Sequence, residues 1–247
     1  MKKHKVDIHS GIIFIYLTTL IILNVTILLA VGIMGDIIQN HTFLAMVNLA
    51  YYGITAILLV RFSKIYLFKN EWPRFKNHKG FVLGMIIGGF FLMFALNSVV
   101  AVLYTQFDIY DNYINQESLL DITQIGWYNA MALFIFAVIL APLVEELVFR
   151  KGVFGLLEKH LGVIVAIIGS SFFFGFIHII SEPTNIIQLI PYMTLGLILA
   201  IIYFLSGRRI WVPITIHAIW NIMSFAFMFI PEDALDDVST IVHFFIH

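Results

Sequence analysis

The chain contains no cysteine, which excludes disulfides, thiolate metal sites and a cysteine nucleophile. Charge is scarce as well. Only 12% of the 247 residues are charged, against about 25% in an ordinary soluble domain. Fourteen Lys and Arg against fifteen Asp and Glu leave a formal charge of −1, so there is no basic excess to hold a nucleic acid. Internal repeats, low-complexity tracts and Pro/Gly/Ser linkers are absent too. What fills the sequence is apolar: 61% of residues are hydrophobic, well past the norm of about 45–50%. No hydrophilic block is long enough to form a separate soluble domain. The expectation is one integral membrane domain spanning residues 1–247.

A helix needs about 20 mostly apolar residues to cross a hydrocarbon core of about 30 Å. Seven stretches qualify, at about 11–34, 43–61, 81–106, 126–148, 161–180, 186–205 and 210–230. The expected fold is therefore all-α, a polytopic bundle of seven or eight transmembrane helices, with the short apolar tail Val238–His247 lying along the outer surface or extending the last helix. The runs are continuous rather than alternating, which excludes a transmembrane β-barrel. The first run follows Lys2, Lys3 and Lys5, as in a signal peptide. It is too long and lacks a small-residue cleavage site, so a retained first helix is expected.

Orientation follows from where the basic residues fall. With the N-terminus in the cytoplasm, segments 1–10, 62–80, 149–160 and 206–209 lie inside and, with Arg61 at a helix end, hold every Lys and Arg. The outer segments carry Asp36, Asp108, Asp111, Glu117, Asp121, Glu182, Glu232, Asp233, Asp236 and Asp237. Lys64–Lys79, with Trp72 and Phe75 among its charges, resembles an interfacial segment held by anionic headgroups, but an ordinary basic loop is the favoured reading. Asn40-His41-Thr42 fits a glycosylation tripeptide that carries no weight by itself.

Ionisable groups inside a membrane helix cost about 2.5–3.5 kcal/mol each on insertion scales, so each needs a reason. Three groups stand out: Glu145-Glu146 with Arg150, then Phe174 with His178, then His217 with Asn221. Residues four apart share a helix face, while neighbours point about 100° apart. Glu146 and Arg150 can therefore pair, which leaves Glu145 to face elsewhere. His217 and Asn221 face one direction. Each group also has a plain structural reading: glutamates at the water boundary, a histidine bonding a neighbouring helix, an interhelical His–Asn pair. Glu145 and His178 are 33 residues apart, and the midpoint falls at His160–Gly162, a natural turn. A helical hairpin there brings the two to similar depth, and His217 shares that depth if the fourth helix outruns its apolar stretch. Pro142 is the expected site of a kink in that helix.

A carboxylate and an imidazole beside a water can deprotonate it for attack on a carbonyl. A second histidine and an asparagine amide can stabilise the oxyanion that results. Glu145 with His178 suits the first role, and His217 with Asn221 the second. Glu145, His178 and His217 are also the set that would ligate zinc, although no His-Glu-x-x-His is present. Ser170 and Ser171 are poorly spaced from His178 for a serine–base pair.

The ordered set Glu-Glu-x-x-x-Arg, Phe-x-x-x-His and His-x-x-x-Asn, found here as Glu145–Arg150, Phe174–His178 and His217–Asn221, resembles the CAAX protease and bacteriocin-processing family. These intramembrane proteases are also called Abi proteins. The resemblance covers about 125–225. It implies Glu145 as general base assisted by His178, His217 and Asn221 as the oxyanion site, and Glu146 with Arg150 as a supporting pair. One departure is Lys151, where glycine is common; Gly152 follows. The expected activity is cleavage of a membrane-embedded or lipid-associated peptide by a glutamate-activated water. No cofactor is needed, though the family is often labelled metalloprotease. Two other readings are a peptide-sequestering immunity protein and a transporter, the latter without the paired halves it would need.

Overall fold

The computed structural model describes residues 7–34, 41–107, 127–180, 186–227 and 229. Lys2, Lys3, Lys5, Asn40, the acidic residues expected in the outer segments and the tail Val238–His247 lie outside the described residues.

Seven helices make up the described residues. They are α1 (Ile8–Met34), α2 (His41–Lys64, continued by Ile65–Glu71 and Trp72–Asn77), α3 (Lys79–Gln106), α4 (Trp127–Leu161), α5 (Val163–Ile179), α6 (Leu189–Leu205) and α7 (Trp211–Phe227). Five helices are long and apolar enough to cross a membrane, while α5 and α7 are shorter apolar helices. The chain is a multi-pass membrane protein. At 17 residues each, α5 and α7 are about 25 Å long, short of a full hydrocarbon core.

Two helices outrun their apolar stretches. Lys64–Lys79 is not a loop: α2 continues through a π-helical turn at Ile65–Glu71 and ends at Asn77. Two of its polar residues, Glu71 and Arg74, are held by the α6–α7 turn, while its lysines are exposed. Arg74 pairs with Glu71 at 2.6 Å and donates to the Gly207 carbonyl at 2.6 Å, and the Ile210 N–H donates to Glu71 at 3.3 Å. Likewise α4 runs on to Leu161. It turns into α5 at Gly162, whose φ of +86° is a conformation that glycine adopts without steric cost.

The basic segments gather at one end of the bundle. Arg208 binds Glu158, Lys159 reaches Asp7 at 3.7 Å, and the Lys151 ammonium lies 4.0 Å from the Tyr66 ring centroid. This convergence is what segments on one side of a membrane require.

Small residues set the helix spacings. A Cβ on Gly175 would stand 2.9 Å from the Met193 backbone nitrogen, and one on Gly196 would stand 3.1 Å from Ser171 Cα. So α5 and α6 touch backbone to backbone. Ser170 and Ser171 return their hydroxyls to the Ile167 carbonyl, which removes them further from any nucleophilic role. Phe172 and Phe173 are exposed, while Phe174 is buried in the core with Val144, Phe149 and Tyr203.

Candidate active site

Helix α4 carries the site, and its backbone is irregular on both sides of the glutamates. Ile135–Leu140 and Leu147–Phe154 are π-helical, flanking the α-helical Ala141–Glu146. Such bulges inside a helix are frequent at functional sites. Pro142 explains a consequence of the first. In the π register the Ala141 N–H donates to the Phe136 carbonyl, so the Ala137 carbonyl awaits the N–H of residue 142. Proline has none. The orphaned carbonyl is met from α7, where Asn221 Nδ2 donates to it at 2.7 Å.

The two glutamates part company as their spacing requires. Glu146 is fully buried and accepts from Arg150 Nε at 2.8 Å. The Arg150 guanidinium, also fully buried, lies 5.3 Å from the Phe174 ring centroid, and its two terminal nitrogens have no hydrogen-bond acceptor. The ring face thus stands where acceptors would otherwise be needed. Glu146 Oε1 is 3.1 Å from His217 Nδ1, which donates to it because a carboxylate held by arginine only accepts.

Glu145 turns the other way. Its Oε1 accepts from the Tyr52 hydroxyl of α2 at 3.3 Å. Its Oε2 lies 3.9 Å from His178 Nε2 and 3.9 Å from His217 Nε2, too far for direct hydrogen bonds and buried without one. His178 Nδ1 donates to the Phe174 carbonyl at 2.7 Å, which fixes a proton on Nδ1 and turns Nε2 towards Glu145. The His178 ring stacks on Tyr192 of α6, centroids 4.5 Å apart and planes 19° apart. Phe174 touches both imidazoles edge-on or tilted, at 4.7 Å from His178 and 5.8 Å from His217.

Three helices, α2, α5 and α7, therefore converge on Glu145 of α4. The hairpin geometry read from the sequence brings Glu145 and His178 together, and His217 joins them. Asn221 differs in one respect, since its Nδ2 is engaged with α4 and one amide N–H remains to it. Tyr52 and Tyr192 were not legible in advance. Each is one of several aromatic residues on an apolar helix, and no spacing marks it.

A metal held by this set would use Glu145, His178 and His217. Ligand distances of about 2.1 Å place tetrahedral donors about 3.4 Å apart, and Glu145 Oε2 stands 3.9 Å from both ring nitrogens. Among the described residues no group of three or more acidic or histidine side chains has the arrangement of a metal site. The residues do not fit a metal as they stand.

With the geometry in place, comparison with known proteins decides the family. A model of the Rce1-like type II CAAX prenyl endopeptidases matches residues 127–223. The membrane-embedded CAAX protease MroQ of Staphylococcus aureus is 31% identical over 183 residues, covering 70% of this chain and 68% of its own. The chain belongs to the Rce1-like CAAX endopeptidase family. A putative membrane peptidase, YdiL of Bacillus subtilis, is 30% identical over 140 residues, which is 57% of this chain and 53% of that protein. A protein of Mycoplasma capricolum is 27% identical over 212 residues, 79% of this chain and 61% of its own. The matches thus span between about half and two thirds of these relatives' lengths. No solved structure matches the chain. The segment that the family model matches contains Glu145, Glu146, Arg150, Phe174, His178, His217 and Asn221, while the match to MroQ, over 70% of this chain, reaches beyond it.

Proposed function

We propose that this chain is an intramembrane endopeptidase that hydrolyses a peptide bond of a membrane-associated peptide through a water activated by Glu145. The observation that carries the reading is the position of Glu145 Oε2, buried and 3.9 Å from two imidazole nitrogens, beside a Glu146 already neutralised by Arg150. One carboxylate is thereby kept for proton transfer and the other for structure.

In this mechanism a water lies between Glu145 Oε2 and the two rings. Glu145 takes one of its protons, and His178 Nε2 accepts the hydrogen bond of the other. The oxygen attacks the scissile carbonyl carbon. His217, giving Nδ1–H to Glu146, offers an Nε2–H to the oxyanion when it carries both protons, with Glu146 as countercharge. Asn221 fixes α7 on α4 through Ala137 and has its second N–H for the same oxyanion. The proton held by Glu145 then passes to the leaving amine as the C–N bond breaks. No step is routed through a metal.

The family points to peptides ending in a prenylated CaaX sequence as the first substrates to try, with unprenylated membrane-inserting peptides as the second class. Bacterial peptide maturation, signalling or bacteriocin immunity is the proposed setting. Protein reconstituted in liposomes is tested on an internally quenched peptide of each class, with the cut bond located by mass spectrometry. The wild type cleaves one of them, and Glu145→Ala and His178→Ala do not. Unchanged cleavage by either variant overturns the assignment.

A further inference from the structure

We infer that Tyr52 is a positioning residue for Glu145, supplied by a helix that lies outside residues 127–223, the stretch that the family model matches. The inference rests on the reading of Glu145 as the base. It starts from an asymmetry of the carboxylate. Oε2 meets the two imidazoles without a hydrogen bond, whereas Oε1 accepts from the Tyr52 hydroxyl at 3.3 Å. Among the described residues Tyr52 is the side chain that hydrogen-bonds Glu145. A glutamate side chain has three rotatable bonds, so one anchored oxygen decides where the other one points.

The anchor is itself held. The Tyr52 ring stands edge-on to Tyr51 at 5.1 Å and edge-on to Phe136 at 4.7 Å. Phe136 belongs to the π-helical turn that precedes the glutamates, the turn whose Ala137 carbonyl is held by Asn221. Thus α2 and α7 grip the same irregular turn of α4 from different helices, one through a ring and one through an amide. The hydroxyl of Tyr52 is placed by that grip and not by its own flexibility. At 3.3 Å the bond is long, as catalytic hydrogen bonds often are before substrate binds.

Tyr52→Phe removes the hydroxyl and keeps both ring contacts. The expected result is a fall in kcat of about ten- to a hundredfold, the range for a hydrogen bond to a charged group. KM and the unfolding temperature stay as in the wild type. Tyr51→Phe, which removes a hydroxyl one residue away, stays within about twofold of wild-type kcat. A second, substrate-independent measurement places 3-fluorotyrosine at position 52 and follows its 19F resonance, which shifts when Glu145 is replaced by Ala. If Glu145→Ala is inactive while Tyr52→Phe keeps kcat within about threefold, the inference is overturned and the reading of the base stands. A loss in Tyr52→Phe that appears as lowered stability or raised KM also overturns it. If Glu145→Ala still cleaves, the reading of the base fails by itself. The 19F resonance then decides the contact: a shift upholds it, and an unmoved resonance overturns it.

Discussion

Glu146 and Arg150, one helical turn apart on α4, form an ion pair at 2.8 Å in which neither side chain has any solvent exposure. The pair is worth little as a stabiliser of an apolar core, because both charges must leave water to make it. Its effect here is to leave a single adjacent carboxylate, Glu145, without a countercharge of its own. Breaking it strands a charge. Arg150→Ala is expected to destabilise the protein by about 3–5 kcal/mol, read as a lowered unfolding midpoint in detergent. A loss below about 1 kcal/mol would mean that Glu146 is not held as described.

The Arg208–Glu158 pair is the contrast. It joins the α6–α7 turn to the end of α4 at partly exposed positions, where the hydrogen bond to Glu158 holds the Arg208 guanidinium above its ordinary value. Water screens such a pair. Arg208→Ala is expected to cost no more than about 1 kcal/mol and to leave cleavage intact, measured in the same unfolding and peptide assays.

Pro142 and Asn221 are expected to be energetically coupled. Asn221→Ala leaves the half-buried Ala137 carbonyl without a donor, at a cost of about 1 kcal/mol. In a Pro142→Ala background residue 142 regains an N–H for that carbonyl, so the same substitution costs less. A double-mutant cycle on unfolding free energies reads the difference directly. Additive costs would contradict the link between the proline and the asparagine.

Gly175 brings α5 against the backbone of α6 three residues before His178. Alanine there meets Met193 N and Leu189 Cδ1, both at 2.9 Å. Overpacking of this kind costs about 1–3 kcal/mol, and it moves the helix that carries His178. Gly175→Ala is expected to lower both the unfolding temperature and kcat, whereas alanine at Gly84, where a Cβ meets nothing within 4 Å, changes neither.

The donors around Glu145 are too widely spaced for a metal, at 3.9 Å from Oε2 to each ring nitrogen. Dialysis against a strong chelator is therefore expected to leave peptide cleavage unchanged. Loss of activity that added zinc restores would contradict this.

Much of the molecule was legible from hydropathy and spacing. The seven helices follow from apolar runs, and the meeting of Glu145 with His178 follows from counting residues on either side of Gly162. The parting of Glu145 from Glu146 follows from the helical angle between neighbours. The remainder depended on interactions that leave no periodic trace. The polar stretch Lys64–Lys79 reads as a loop because its charges look solvated, yet Glu71 and Arg74 find partners on the turn before α7. The engagement of Asn221 with Ala137 depends on a π register, which no residue pattern announces. Tyr52 reaches Glu145 across helices, and a tyrosine among isoleucines and leucines gives no sign of it.

The most direct measurement is a single-turnover reaction in H₂¹⁸O on whichever peptide the wild type cleaves, run beside Glu145→Gln at equal folded protein. The account predicts one ¹⁸O in the new C-terminal carboxylate for the wild type, and a rate lower by about a hundredfold or more for the variant. Glu145→Gln cleaving at the wild-type rate would contradict it.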